Sequence, residues 1–70
     1  MRNELLPEIE AFLTATGLSP SRFGLLAASN SRLVERLREG KPVLTSTEDR
    51  VRAWLAGEGA ERLQRVQEAA

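Results

Sequence analysis

The sequence predicts an all-α fold, a compact bundle of four to five helices. Apolar residues recur at the three- and four-residue spacing of a helix along most of the 70-residue chain. Between these segments lie the residues that start or stop helices: glycine, proline, and capping serine, threonine and asparagine. The two patterns together predict helices at about 4–15, 20–27, 31–39, 47–56 and 59–68.

The first predicted helix has one apolar stripe. Pro7 must lie in its first turn, because proline lacks the backbone N–H that an interior turn needs. Gly17 marks its end. The stripe consists of Leu5, Ile9, Phe12 and Leu13, with Leu6 beside them. We expect this helix to pack against the core and to have no other role.

The next two predicted helices meet at a tight corner. Ser19 can cap the second helix, and Pro20 suits its first position. Asn30 is an N-cap for a helix over 31–39, which Gly40 can close in the left-handed conformation. Gly24 costs about 1 kcal/mol relative to alanine inside a helix, so it predicts a close crossing that excludes a side chain.

The last part of the chain predicts a fourth helix and a short extension. Ser46 with Asp49 has the form of a capping box, and Pro42 keeps the preceding loop out of a helix. Trp54 is expected to contribute most to the core, beside Val51 and Leu55.

The segment Gly57-Glu58-Gly59 is interpreted as a linker. A thin apolar line follows, at Ala60, Leu63, Val66 and Ala70, with favourable pairs Glu58–Arg62 and Glu61–Arg65. This extension either docks on the domain, makes a dimer contact or frays.

The twenty residues from Pro20 to Glu39 resemble the helix-turn-helix of the phage-repressor and Cro class. Phe23 and Gly24 match its apolar and small positions, and Ala27, Val34 and Leu37 match its buried positions. Two positions depart from the pattern: Ala28 stands where glycine is usual and would bear a positive φ, and Ser29 replaces an apolar residue. The resemblance implies a DNA-binding domain over 1–56 and a helical extension over 57–70. The alternative is an ordinary helical hairpin.

The same resemblance implies which residues touch DNA. On a helix beginning at Ser31, one exposed side gathers Arg32, Glu35, Arg36 and Glu39. The implied base-reading residues are Ser31, Arg32, Glu35 and Arg36. The implied phosphate contacts are Ser19, Ser21, Arg22, Asn30 and Lys41. Taken without the preceding helix, the same arginines and glutamates also suit a plain solvated surface.

Composition limits the other possibilities. The chain contains no cysteine and no histidine, which removes the commonest metal ligands and the commonest general base. We therefore expect no catalysis, no cofactor and no metal site.

The positive charge of the chain is concentrated in its middle. Residues 17–45 hold five basic and two acidic side chains, whereas the whole chain has zero net charge. Apolar runs are too short to span a membrane, and a cytoplasmic location is expected.

These observations predict a sequence-specific regulator of transcription, of bacterial or phage type, that binds double-stranded DNA. It would act as a homodimer or with a partner transcription protein, and would take no small-molecule substrate. The alternative is a small helical protein-interaction module, an adaptor or antitoxin-like subunit. That module would use the 60–70 line and any exposed part of Leu25 and Leu26.

Overall fold

The computed structural model describes residues 5–69, and all the regular secondary structure within them is helical. The helices are α1 (Leu5–Thr16), α2 (Pro20–Ala28), α3 (Leu33–Arg38), α4 (Thr45–Trp54) and α5 (Ala60–Ala69). A π-helical turn (Leu55–Gly59) joins α4 to α5. The all-α prediction is confirmed. The predicted helix start at residue 4, and Ala70 in the predicted apolar line, lie outside the described residues.

One apolar core is shared by α1, α2, α3 and α4. Phe23 is its largest fully buried side chain. The rings of Phe12, Phe23 and Trp54 pack against one another with centroids 5.4–5.8 Å apart, and Trp54 meets both phenylalanines edge to face. Trp54 itself is half-buried at the margin of the core. The buried residues are Leu5, Ile9, Phe12, Leu13, Phe23, Ala27, Leu33, Val34, Leu37 and Val51.

The predicted signals at three helix ends are confirmed. The Ser19 hydroxyl caps α2 by accepting the Arg22 backbone N–H at 3.2 Å, with Pro20 in the first helical position. Gly17 follows α1 with a φ of 75°, and Gly40 follows α3 with a φ of 82°. Both glycines take a left-handed conformation that other residues adopt only at a cost.

The corner between α2 and α3 differs from its predicted form by one residue. α2 continues to Ala28, and the left-handed residue is Ser29 (φ 56°, ψ 34°), so the prediction for Ala28 is wrong. The Ser29 N–H donates to the Leu25 carbonyl at 3.0 Å, and the Asn30 N–H donates to the Gly24 carbonyl at 3.0 Å. These two bonds close the C-terminal turn of α2 and fold the chain back across Gly24.

Gly24 is required by this corner. A methyl group there would overlap the Asn30 carbonyl oxygen and would lie 3.4 Å from the Leu33 Cβ. The close approach predicted from Gly24 is therefore present, and its partner is the turn that leads into α3.

Helix α3 is shorter than the predicted 31–39. The Asn30 Oδ1 accepts the Arg32 N–H at 3.0 Å, and the Leu33 N–H donates to the Asn30 carbonyl at 3.2 Å. This side-chain turn competes with regular helix, which begins only at Leu33. Asn30 thus satisfies an N–H at the helix start as predicted, but Ser31 and Arg32 lie in a turn before α3.

Helix α4 begins two residues earlier than predicted. Leu44 is extended (φ −65°, ψ 146°), and its carbonyl already accepts the Glu48 N–H at 3.0 Å. The hydroxyl groups of 45–47 consequently lie inside the first turn, and no side chain caps the helix. The predicted capping box of Ser46 and Asp49 is wrong.

The predicted linker at Gly57–Gly59 is also wrong, because helix continues through it. A Cβ on Gly59 would lie 3.2 Å from the Trp54 carbonyl oxygen and 3.3 Å from the Trp54 ring, so glycine allows the π turn to close beside the indole.

Beyond the π-helical turn, α5 lies against α1 and packs Leu63 onto the core. Arg62 pairs with Glu58 at 2.9 Å and lies 5.9 Å from the centre of the Trp54 ring. The 60–69 segment is docked rather than frayed.

Candidate nucleic-acid interface

The solvent side of α3 and the turn before it carry the side chains that the resemblance assigned to base reading. Arg32, Glu35 and Arg36 are exposed, while Leu33, Val34 and Leu37 are buried on the opposite side. Exposed and buried side chains alternate with the helical period. Arg32 lies on the exposed side with the others, although it precedes the first residue of α3. Burial of the three aliphatic residues fixes which side of this short helix faces solvent.

Five exposed residues surround one shallow depression of about 150 Å³, namely Arg32, Glu35, Arg36, Glu39 and Lys41. Three cations and two carboxylates leave it with one net positive charge. The structure therefore brings Lys41, a predicted phosphate contact, together with three of the four predicted base-reading residues. Ser31 is exposed in the neighbouring turn but does not line the depression.

The cations of the depression differ in how they are paired. Lys41 lies 3.0 Å from a Glu39 carboxylate oxygen, and the Arg32 Nε lies 3.9 Å from Glu35. Such exposed pairs contribute about 0–1 kcal/mol each, so a phosphate or a base can displace them at little cost. Arg36 makes no ion pair with any described residue and is the cation most available to a ligand.

Asn30 lies between this depression and the loop that precedes α4. Its Oδ1 is occupied by the Arg32 N–H, which leaves the Nδ2 hydrogens to donate to a ligand. Asn30 and Arg36 also line a second depression, of about 380 Å³, together with Pro42, Val43 and Leu44. Asn30 and Arg36 thus line one depression, and the Asn30 amide keeps its N–H donors.

The remaining predicted phosphate contacts form a separate group at the start of α2. Ser19, Ser21 and Arg22 are all exposed there, and the Ser19 oxygen is engaged as the helix cap. Across residues 5–69, no ion pair involves Arg22, and no hydrogen bond joins these residues to the α3 side. The predicted site thus consists of two clusters, one at each side of the corner.

Two exposed arginines pair with carboxylates of α1. Arg38 donates two hydrogen bonds to Glu10, at 2.6 and 2.8 Å. This pairing lowers the pKa of Glu10 and raises the pKa of Arg38. Arg52 bridges Glu8 at 2.9 Å and Glu48 at 3.1 Å, and its pKa is raised by both carboxylates. Glu10 and Arg38 are 28 residues apart, so local spacing gave no sign of this pair.

Several large apolar side chains remain in solvent. Leu25 is 55% exposed and Leu26 39%, as the alternative reading of the sequence allowed. Leu44 is 73% exposed, and sequence reasoning missed it. The sequence did contain a sign of this exposure. Leu44 lies in a loop directly before a helix, outside any helical repeat of apolar residues that would place it in the core.

Residues 5–69 contain no group of three or more acidic residues that could hold a metal ion, and no helix there could cross a membrane. Comparisons with known proteins found no matching family model, no matching curated protein and no matching solved structure. A functional assignment therefore depends on the corner and the surface that it exposes.

Proposed function

We propose that this protein is a sequence-specific, double-stranded DNA-binding regulator of transcription of bacterial or phage type, built on a helix-turn-helix. The observation that carries the proposal is the α2–α3 corner. Its backbone is closed over Gly24, and it exposes Arg32 and Arg36 while the opposite side of α3 is buried. A short helix that is buried on one side and exposed on the other at the surface suits insertion into a groove.

In this proposal α3 lies in the major groove. A helix with its side chains is about 10–12 Å wide, which fits a groove about 12 Å wide. Arg36, which has no competing ion pair among the described residues, gives two hydrogen bonds to guanine O6 and N7. Arg32 reads a neighbouring position. Glu35 either fixes the arginine side chains or accepts a hydrogen bond from cytosine N4.

The second cluster would hold the DNA backbone. The first turn of α2 presents the positive end of the helix dipole, and Ser19, Ser21 and Arg22 are exposed around it. Asn30 and Lys41 would contact phosphates on the other side of the corner. Contacts of this kind fix the register of the helix on the duplex without reading its sequence.

The size of α3 requires a second reading unit. Its six residues rise about 9 Å, which covers about three base pairs. Three base pairs cannot define a site in a genome, so the protein is expected to act as a homodimer or with a partner transcription protein. A homodimer would select an inverted repeat with half-sites about 34 Å apart.

The proposal is tested by selecting binding sites from a random duplex library at low and at physiological salt. Enrichment of an inverted repeat is expected, with affinity falling steeply as salt rises. Arg36→Ala should weaken binding to the selected site by about 1–3 kcal/mol, or about 5- to 150-fold. Arg32→Ala should weaken it in the same direction.

Arg38→Ala is the matched control, because Arg38 lies on the same helix but is held by Glu10. It removes the same charge and should leave the preferred sequence unchanged. The assignment of the reading surface is wrong if Arg32→Ala and Arg36→Ala both bind like the unaltered protein. Circular dichroism on each variant separates lost contacts from lost folding.

A protein-interaction module, adaptor or antitoxin-like, is the second candidate. It is favoured by Leu25 and Leu26, two adjacent leucines of α2 that remain exposed. Such a module would enrich no DNA sequence at either salt concentration and would pass through heparin at low salt. A DNA-binding protein should be retained on heparin, because its cationic cluster binds sulfates as it binds phosphates.

A further inference from the structure

Leu44 occupies an unusual place for a leucine. It is 73% exposed, more than any other large hydrophobic residue that the structure describes. It stands in the extended residue that precedes α4, where a capping serine or aspartate would stabilise the helix better. Neither the core nor the helix start explains a leucine here, so its side chain is available to a ligand.

The surroundings of Leu44 combine apolar and donor groups. Pro42, Val43 and Leu44 form one side of the 380 Å³ depression, and Asn30 and Arg36 line it as well. Arg36 has no ion pair within residues 5–69, and the Asn30 Nδ2 has hydrogens to donate. A complementary ligand must therefore offer hydrogen-bond acceptors directly beside an apolar group.

The major groove offers this combination at thymine. Its 5-methyl group is the apolar element of the groove, and the O6 and N7 acceptors of a neighbouring guanine lie on the same floor. Resting on the function proposed above, we propose that Leu44 is a specificity-determining residue. It packs against the methyl group of a thymine next to the guanine that Arg36 reads.

The expected effect is measurable because one methyl group can be removed from the DNA alone. Replacing a thymine by deoxyuridine deletes only that methyl, and losing one buried methyl-sized contact corresponds to about a fourfold weaker affinity. Each thymine of the selected site would be replaced in turn. Dissociation constants would be measured for the unaltered protein, for Leu44→Ala, and for Leu26→Ala as a control truncation of another exposed leucine.

We expect one thymine whose replacement weakens the unaltered protein about fourfold. Leu44→Ala should bind the thymine site more weakly and should not distinguish thymine from deoxyuridine at that position. Leu26→Ala should keep the full preference for thymine. This loss of sensitivity in one variant alone identifies the contact, which a general weakening would not do.

The inference is overturned if no thymine matters to the unaltered protein, or if Leu44→Ala remains as sensitive to the methyl as the unaltered protein. In either case, retained binding to the selected site leaves the proposed function standing. If the unaltered protein selects no sequence at all, the proposed function fails first and Leu44 loses this role with it.

Discussion

Replacing Gly24 by alanine should destabilise the protein strongly, although alanine is the better helix former. The new methyl overlaps the Asn30 carbonyl oxygen and lies 3.1 Å from its carbon. Both are backbone atoms, so no side-chain rotation can relieve the clash, and the corner must open. Overpacking of this kind costs about 1–3 kcal/mol.

Opening the corner also weakens the bonds from the Ser29 and Asn30 N–H groups, both 3.0 Å long. They contribute about 1 kcal/mol each. Alanine returns about 1 kcal/mol through helix propensity. The net loss is about 2–4 kcal/mol, a large part of the about 4–10 kcal/mol expected for a chain of this length.

Urea unfolding followed by the fluorescence of Trp54, which is packed against two phenylalanines, measures this loss. Gly57→Ala is the matched control, because Gly57 lies in the π-helical turn with open space around its missing side chain. That variant should gain about 0.4–1 kcal/mol. If Gly24→Ala is as stable as Gly57→Ala, the close approach at the corner does not explain Gly24.

Three further predictions concern the corner, an ion pair and the docked helix. Ser29→Gly should be more stable than Ser29→Ala by about 1 kcal/mol, because only glycine adopts the left-handed φ without strain; equal urea midpoints would contradict this. Glu10→Gln should lower stability at pH 7. Because Arg38 depresses the folded-state pKa of Glu10, the contribution is present above the ordinary value of 4.5 and is lost as pH falls through the lower folded value. Unfolding curves at pH 7 and pH 3 should therefore show the variant's deficit shrinking in acid, and a constant deficit would refute the pairing. Leu63→Ala should raise amide hydrogen exchange in α5 more than in α1, because Leu63 packs this helix onto the core.

The sequence was most informative where physical signals are local. Ser19, Pro20 and Gly40 marked helix ends correctly, because capping and backbone freedom depend on the residue itself. The buried sides of α1 and α3 followed from their period alone. The predicted starts of α3 and α4 were wrong. The Asn30 side chain forms a turn, so α3 begins later than predicted, whereas the extended Leu44 is followed by a helix that begins earlier than predicted.

Features that depend on distant residues could not be read from spacing. Gly57 and Gly59 look like a linker, but a helix continues through them because Trp54 packs against Gly59. The charge of the candidate site also depends on a residue that is distant in the sequence. Arg38 counted toward the basic segment, yet Glu10 of α1 engages it across 28 residues of sequence.

The ion pairs of α1 bear directly on the proposed reading of DNA. Glu10 pairs with Arg38 and offsets the charge of a second arginine of α3. Glu8 and Glu48 offset the charge of Arg52 of α4 in the same way. Non-specific attraction to DNA grows with the number of phosphate contacts, whereas discrimination comes from base contacts. Of the two arginines in the depression beside α3, the one without an ion pair among the described residues, Arg36, also shares a depression with Leu44. This arrangement favours selectivity over strong general attraction. Removing Glu10 should raise non-specific DNA affinity while leaving the selected sequence unchanged.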